Sequence, residues 1–146
     1  MKVSGISLTI LICIALLVSG VSALNVEKTG NYTVTPAGDL RFPSMTPFVT
    51  STISQGQVVA YSRVVSPGTS SMITDLNWGN PANSLSLTIV APDGVLGPFY
   101  DSADGTTNGR IALSISSPTG LTPGTWKFYI EGYHVTGTQT YSFVTY

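Results

Sequence analysis

Asp101-Ser-Ala-Asp104-Gly105-Thr-Thr-Asn108-Gly109 is the stretch whose residue types and spacing come nearest to chemistry. Two carboxylates and a carboxamide on one glycine-interrupted loop can present several oxygens from a single bend. Asp93, in the preceding Pro92-Asp-Gly94 turn, adds a third acid. Calcium takes roughly 6–8 oxygens of this kind, many of them carbonyls. Asp93, Asp101, Asp104 and Asn108 are therefore the candidate calcium ligands, and calcium is the one cofactor suggested. The spacing is not that of an EF-hand loop. The competing reading is structural: Asp and Asn beside Gly make turns by bonding their own backbone. Asp75 and Asn77, polar within a strand, read as solvent-facing; joining a site with Asn80 and Asn83 is the other reading.

Other chemistry fares worse. His134 is the one histidine and Cys13 the one cysteine. A triad would need His134 as base, Asp101 or Asp104 behind it and a posed serine in front. No Gly-x-Ser-x-Gly elbow follows the N-terminal segment, and one His without a partnering Cys cannot make a zinc site. Aromatics offer contact instead. Trp126 is in phase with Phe128 and Ile130, and Trp78 with Leu76 and Met72, so both tryptophans read as core. Tyr129 is out of phase with Trp126 and reads as exposed. Tyr129, Tyr133 and His134 are the candidate ligand contacts, since exposed rings can stack on sugars. Tyr100 is a further available aromatic. Asn31-Tyr-Thr33 is a glycosylation sequon.

These positions must be held by strands. Gly124 to Gly132 places Trp126, Phe128 and Ile130 on one face and Lys127, Tyr129 and Glu131 on the other. Thr138 to Tyr146 alternates again, with Gln139, Tyr141 and Phe143 together. Alternation on both sides of Tyr133-His-Val-Thr-Gly137 reads as a closing β-hairpin. Strands are expected near 48–53, 57–65, 71–78, 84–91, 95–100, 110–116, 124–131 and 138–145. Turn residues separate them, as in Gly79-Asn-Pro81, Pro92-Asp-Gly94 and Pro123-Gly124. About eight short strands without helical periodicity predict an all-β fold, an antiparallel jelly-roll-like β-sandwich. Residues 24–47 read as an irregular leader, with an edge strand at Tyr32 to Val34. Phe42-Pro-Ser-Met-Thr-Pro47 is unfit for a central strand because proline lacks a ladder donor.

Composition points to export. Lys2, the apolar run Ile6 to Val18 and the small-residue site Val21-Ser-Ala23 read as a signal peptide over residues 1–23. An uncleaved membrane anchor is the rival reading, although the run is short for a span. No Cys marks the cleavage point for lipid attachment. With Cys13 inside the signal, the remaining chain has no disulfide framework. Six basic and seven acidic side chains in 146 residues leave no basic patch, so nucleic acid is not an expected partner.

The order of Gln55-Gly-Gln57…Tyr61, Pro67-Gly-Thr69, Leu76-Asn-Trp78, Leu85-Ser-Leu87…Ala91-Pro-Asp-Gly94 and Pro123-Gly-Thr-Trp126…Gly132-Tyr133…Gly137…Tyr141-Ser-Phe143 resembles a bacterial and archaeal pre-peptidase C-terminal domain. The match runs over roughly residues 54–146. It is also similar to small secreted or surface proteins of methanogenic archaea that carry this module without an enzyme. The resemblance implies a small jelly-roll-like sandwich, and an accessory role beside a secreted protease or at the cell surface. Two positions depart from the family pattern. Ser84-Leu85-Ser86-Leu87 replaces an Asp-Leu-Asp-Leu strand whose acids contribute to calcium sites in relatives. Arg63 stands where an aromatic would be usual after Tyr61, which implies a register change or a sheet edge.

The expectation is an exported domain over residues 48–146 without catalytic activity. It would be a binding or surface-structural module of the cell envelope, its partner an envelope protein, a glycan or a second copy. A membrane association is expected only if the N-terminal segment stays uncleaved. An accessory domain acting in trans with a secreted protease, or a carbohydrate-binding module, is the alternative.

Overall fold

The computed structural model describes residues 27–38 and 49–146. The expected signal peptide and the Phe42–Pro47 segment lie outside the described residues. Among the described residues no helix is long and apolar enough to cross a membrane.

The described chain forms ten strands in two antiparallel sheets packed as a sandwich. The strands are β1 (Glu27–Thr29), β2 (Tyr32–Pro36), β3 (Val49–Ser54), β4 (Val58–Val65), β5 (Ser71–Asn77), β6 (Ser84–Ala91), β7 (Gly94–Phe99), β8 (Arg110–Ser116), β9 (Gly124–His134) and β10 (Thr138–Thr145). One sheet runs β1-β2-β8-β5-β10-β3 and the other β4-β9-β6-β7. The eight expected strands are all present within a residue or a few of their expected bounds. Two more come from the stretch read as a leader. β2 is not an edge strand: it lies between β1 and β8 and pairs with both.

The alternating faces meet between the sheets. Met72 and Leu76 of β5, Ile111, Leu113 and Ile115 of β8, and Tyr141 and Phe143 of β10 line one side. Leu85, Leu87 and Ile89 of β6 face them with Trp126, Phe128 and Ile130 of β9. Burying each such side chain stabilises the fold by roughly 1.5–3 kcal/mol. Ring contacts add direction: Phe143 lies stacked 5.2 Å from Tyr61 and tilted 5.4 Å from Phe128. Tyr32 and Val34 join this core from β2, with Tyr32 edge-on to Trp126 at 5.3 Å.

The expected closing hairpin is instead an arch. β9 pairs with β4 and β6, whereas β10 pairs with β3 and β5 in the opposite sheet. Alternation shows which face of a strand is buried; it is silent on whether the next strand lies beside it or across from it. The β3–β4 connection is a second arch and rests on the first. The Gly56 N–H donates to the Gly132 carbonyl at 2.8 Å, and the Gly132 N–H donates to the Gln57 carbonyl at 3.0 Å. A Cβ on Gly132 would overlap the Ser54 carbonyl oxygen. Gln55 clamps the arch above: its amide donates to the Tyr133 carbonyl and accepts the Val135 N–H.

One expectation of solvent exposure is overturned, at Asp75. Asp75 is buried on the outer face of its sheet because Arg110, facing it from β8, forms a two-pronged pair with it at 2.8 and 3.0 Å. Asn83 is buried because Gln139 arrives from β10. The Asn83 amide donates to the Gln139 carboxamide oxygen, and its own oxygen accepts the Thr136 N–H. Gln139 in turn donates to the Trp78 carbonyl, while the Trp78 indole N–H donates to the Asn80 and Asn83 carbonyls.

Candidate functional site

Asp101 opens a single 3-10 turn, Asp101–Asp104, that follows β7. Its carboxylate is buried and accepts the N–H groups of Asn108, Gly109 and Arg110 at 2.9–3.2 Å. Gly109 has a positive φ and no room for a Cβ, which would meet Asn80 and Gly79 backbone atoms. The loop therefore closes on its own acid, and the amide dipoles supply the compensation that a bound cation would otherwise give. Asp104 does similar work, accepting the Thr106 N–H and hydroxyl and the Ala112 N–H. The Asn108 amide donates to the Thr106 hydroxyl.

The structure brings Asp101, Asp104 and Asn108 onto one loop and leaves Asp93 apart. Asp93 sits in the β6–β7 turn, at the far end of β7 from Asp101, about 20 Å away along the strand. It accepts the hydroxyls of Tyr32 and Thr122. The Tyr32 bond is the main cause that holds the Asp93 carboxyl below its ordinary range. Burial, chiefly, raises the Tyr32 phenol above its own. This triangle ties the β1–β2 hairpin to the opposite sheet. Among the described residues no three His, Cys, Asp or Glu side chains are grouped to hold a metal ion.

The contact residues divide as well. The β6–β9 ladder slips between Ser84 and Ser86, at the end of β9. Alternation fails there, and Tyr133 and His134 are both exposed. Tyr133 reaches Tyr100, which follows β7; their ring centroids are 4.8 Å apart at 59°. Tyr133 is 52% exposed and Tyr100 37%. The pair borders a shallow cleft of about 360 Å³ with Ser84, Asp101, Ser102 and Thr107 along its walls. His134 lies across the ladder from Ser84. Tyr129 is half-buried mid-strand between Ala60 and Thr88, about 13 Å along β9 from Tyr133 and away from the cleft. Asn31 is exposed in the β1–β2 turn, while Tyr32 of the same sequon is buried and Thr33 half-buried.

Tyr100 is the member of this cleft absent from the sequence-derived contact set. Phe99 is buried, so strand alternation alone turns Tyr100 outward. Its pairing with Tyr133 depends on β7 and β9 flanking β6, which no local pattern encodes. No protein-family model matches the chain, and no curated protein matches it.

Proposed function

We propose that this chain is a non-catalytic, exported binding module of the cell envelope, with the Tyr100–Tyr133 cleft as its contact surface. The observation that carries the reading is the paired exposed tyrosines over a hydroxyl-lined depression. Asp75, Asp93, Asp101 and Asp104 meanwhile hold turns and strands together. Aromatic rings beside serine and threonine hydroxyls suit a neutral, hydroxyl-rich ligand, because the rings cover an apolar ring face while the hydroxyls exchange hydrogen bonds. A glycan is therefore the favoured envelope partner. The signal-like N-terminus and the exposed Asn31 of the sequon support an extracellular location. The resemblance to pre-peptidase C-terminal domains supports an accessory role, in trans, beside a secreted protease as the alternative.

The test is a glycan array and an envelope pull-down with the wild-type chain and Tyr100→Ala/Tyr133→Ala. Removing two stacking rings should weaken binding roughly tenfold or more. Equal capture by the double variant would place the contact surface elsewhere, and blank results from both assays would sink the binding reading.

A further inference from the structure

We propose that β4 is a self-pairing edge, through which two copies of the chain join their smaller sheets about a two-fold axis. Free edges invite strand addition, and soluble proteins blunt them with shortness, charge, proline or glycine. β1 is three residues long and carries Glu27 and Lys28. β7 contains Gly94, Gly97 and Pro98. β3 carries no charge, proline or glycine, but it is two residues shorter than β4 (six against eight) and turns the hydroxyls of Thr50 and Thr52 to solvent. β4 is longer than any of these, its outward row carries no charge, proline or glycine, and its one charge, Arg63, points inward. It runs eight residues in unbroken register with β9, and among the described residues nothing pairs with its other side. Its outward row is Val58, Ala60, Ser62 and Val64, uncharged throughout, with Val58 55% and Val64 72% exposed.

The occupant follows from the symmetry of that row. A two-fold contact must be self-complementary. Antiparallel pairing centred on Tyr61 sets Val58 against the partner's Val64 and Ala60 against the partner's Ser62, and the reverse across the axis. Both ends then form valine pairs, the β-branched cross-strand contact that sheets favour. Arg63, the one charge on the strand, points inward and falls opposite the partner's Val59, so no like charges meet. This centring keeps outward residues opposite outward residues, as antiparallel ladders require.

Sedimentation equilibrium of the chain from Leu24 onward, from about 1 µM to 1 mM, tests the proposal. A monomer–dimer equilibrium is expected. Val58→Lys/Val64→Lys sets like charges opposite each other at both ends and should weaken the dimer at least tenfold. Val58→Lys/Val64→Glu sets opposite charges there and should restore it. Both positions are exposed, so at concentrations where all are monomeric the variants should keep the wild-type melting temperature. A monomer at every concentration overturns the proposal. So does a dimer indifferent to both variants, or one that the Lys/Glu variant fails to restore. Hydrogen exchange that finds protected in a monomer those β4 amides that point away from β9 also overturns it, since the chain's own segment would then cover the edge.

Discussion

Asp101 shows how a residue that reads as a metal ligand can be structural. Its carboxylate takes three backbone N–H groups, one of them from the buried Gly109. Asp101→Ala leaves those donors without an acceptor and should cost about 2–3 kcal/mol, read as a fall in denaturant midpoint. Because backbone N–H groups already occupy the Asp101 and Asp104 carboxylates, millimolar calcium should leave the wild-type melting temperature unchanged. A clear rise with calcium would contradict the division of the acids described here. Arg63 gives the opposite expectation. Burial lowers its pKa, and among the described residues its Nη1 is enclosed without a hydrogen-bond partner. Arg63→Leu should therefore stabilise the fold, by about 1 kcal/mol in chemical denaturation.

At the scale of elements, the strands were legible and their neighbours were not. Ser84–Ala91 and Arg110–Ser116 were expected with the bounds they have, because alternation and flanking turn residues are local signals. The β9–β10 arch and the burial of Asp75 and Asn83 depend on Arg110 and Gln139 arriving from other strands. The cleft was half legible in the same way: Tyr133 was in view, and Tyr100 joins it only through sheet order. The arches rest on Gly132, and Gly132→Ala should cost about 3 kcal/mol as the backbone shifts to relieve the overlap. The Tyr32–Asp93 bond joins the β1–β2 hairpin, already paired with β8, to the opposite sheet and gives part of its stability a pH window. Asp93, with its pKa lowered in the fold, contributes above the ordinary carboxylate range and ceases to as pH falls through its folded value. Tyr32, with its pKa raised, contributes below the ordinary phenol range and ceases to as pH rises through its folded value. Limited proteolysis should find the hairpin most resistant near neutrality, and Asp93→Asn should flatten the acid side of that profile.

The whole molecule is a sandwich whose order along the chain differs from its order in space. Among the described strands, only β1–β2 and β6–β7 are consecutive strands that lie side by side. Every other pairing joins strands separated in sequence, so loop-closure entropy must be lost before those contacts form. Refolding should therefore run on the millisecond-to-second scale typical of roughly similar sandwiches, readable by stopped-flow fluorescence of the buried Trp126. A microsecond phase that recovers the full signal would contradict it. The same topology sets a sequence of events for a chain that emerges from its N-terminal side. β4 must wait, unpaired, until β9 has been delivered, with its valine-rich strand open to any neighbour in the same condition. Crowded synthesis of this chain would therefore favour encounters between nascent copies before either has finished folding.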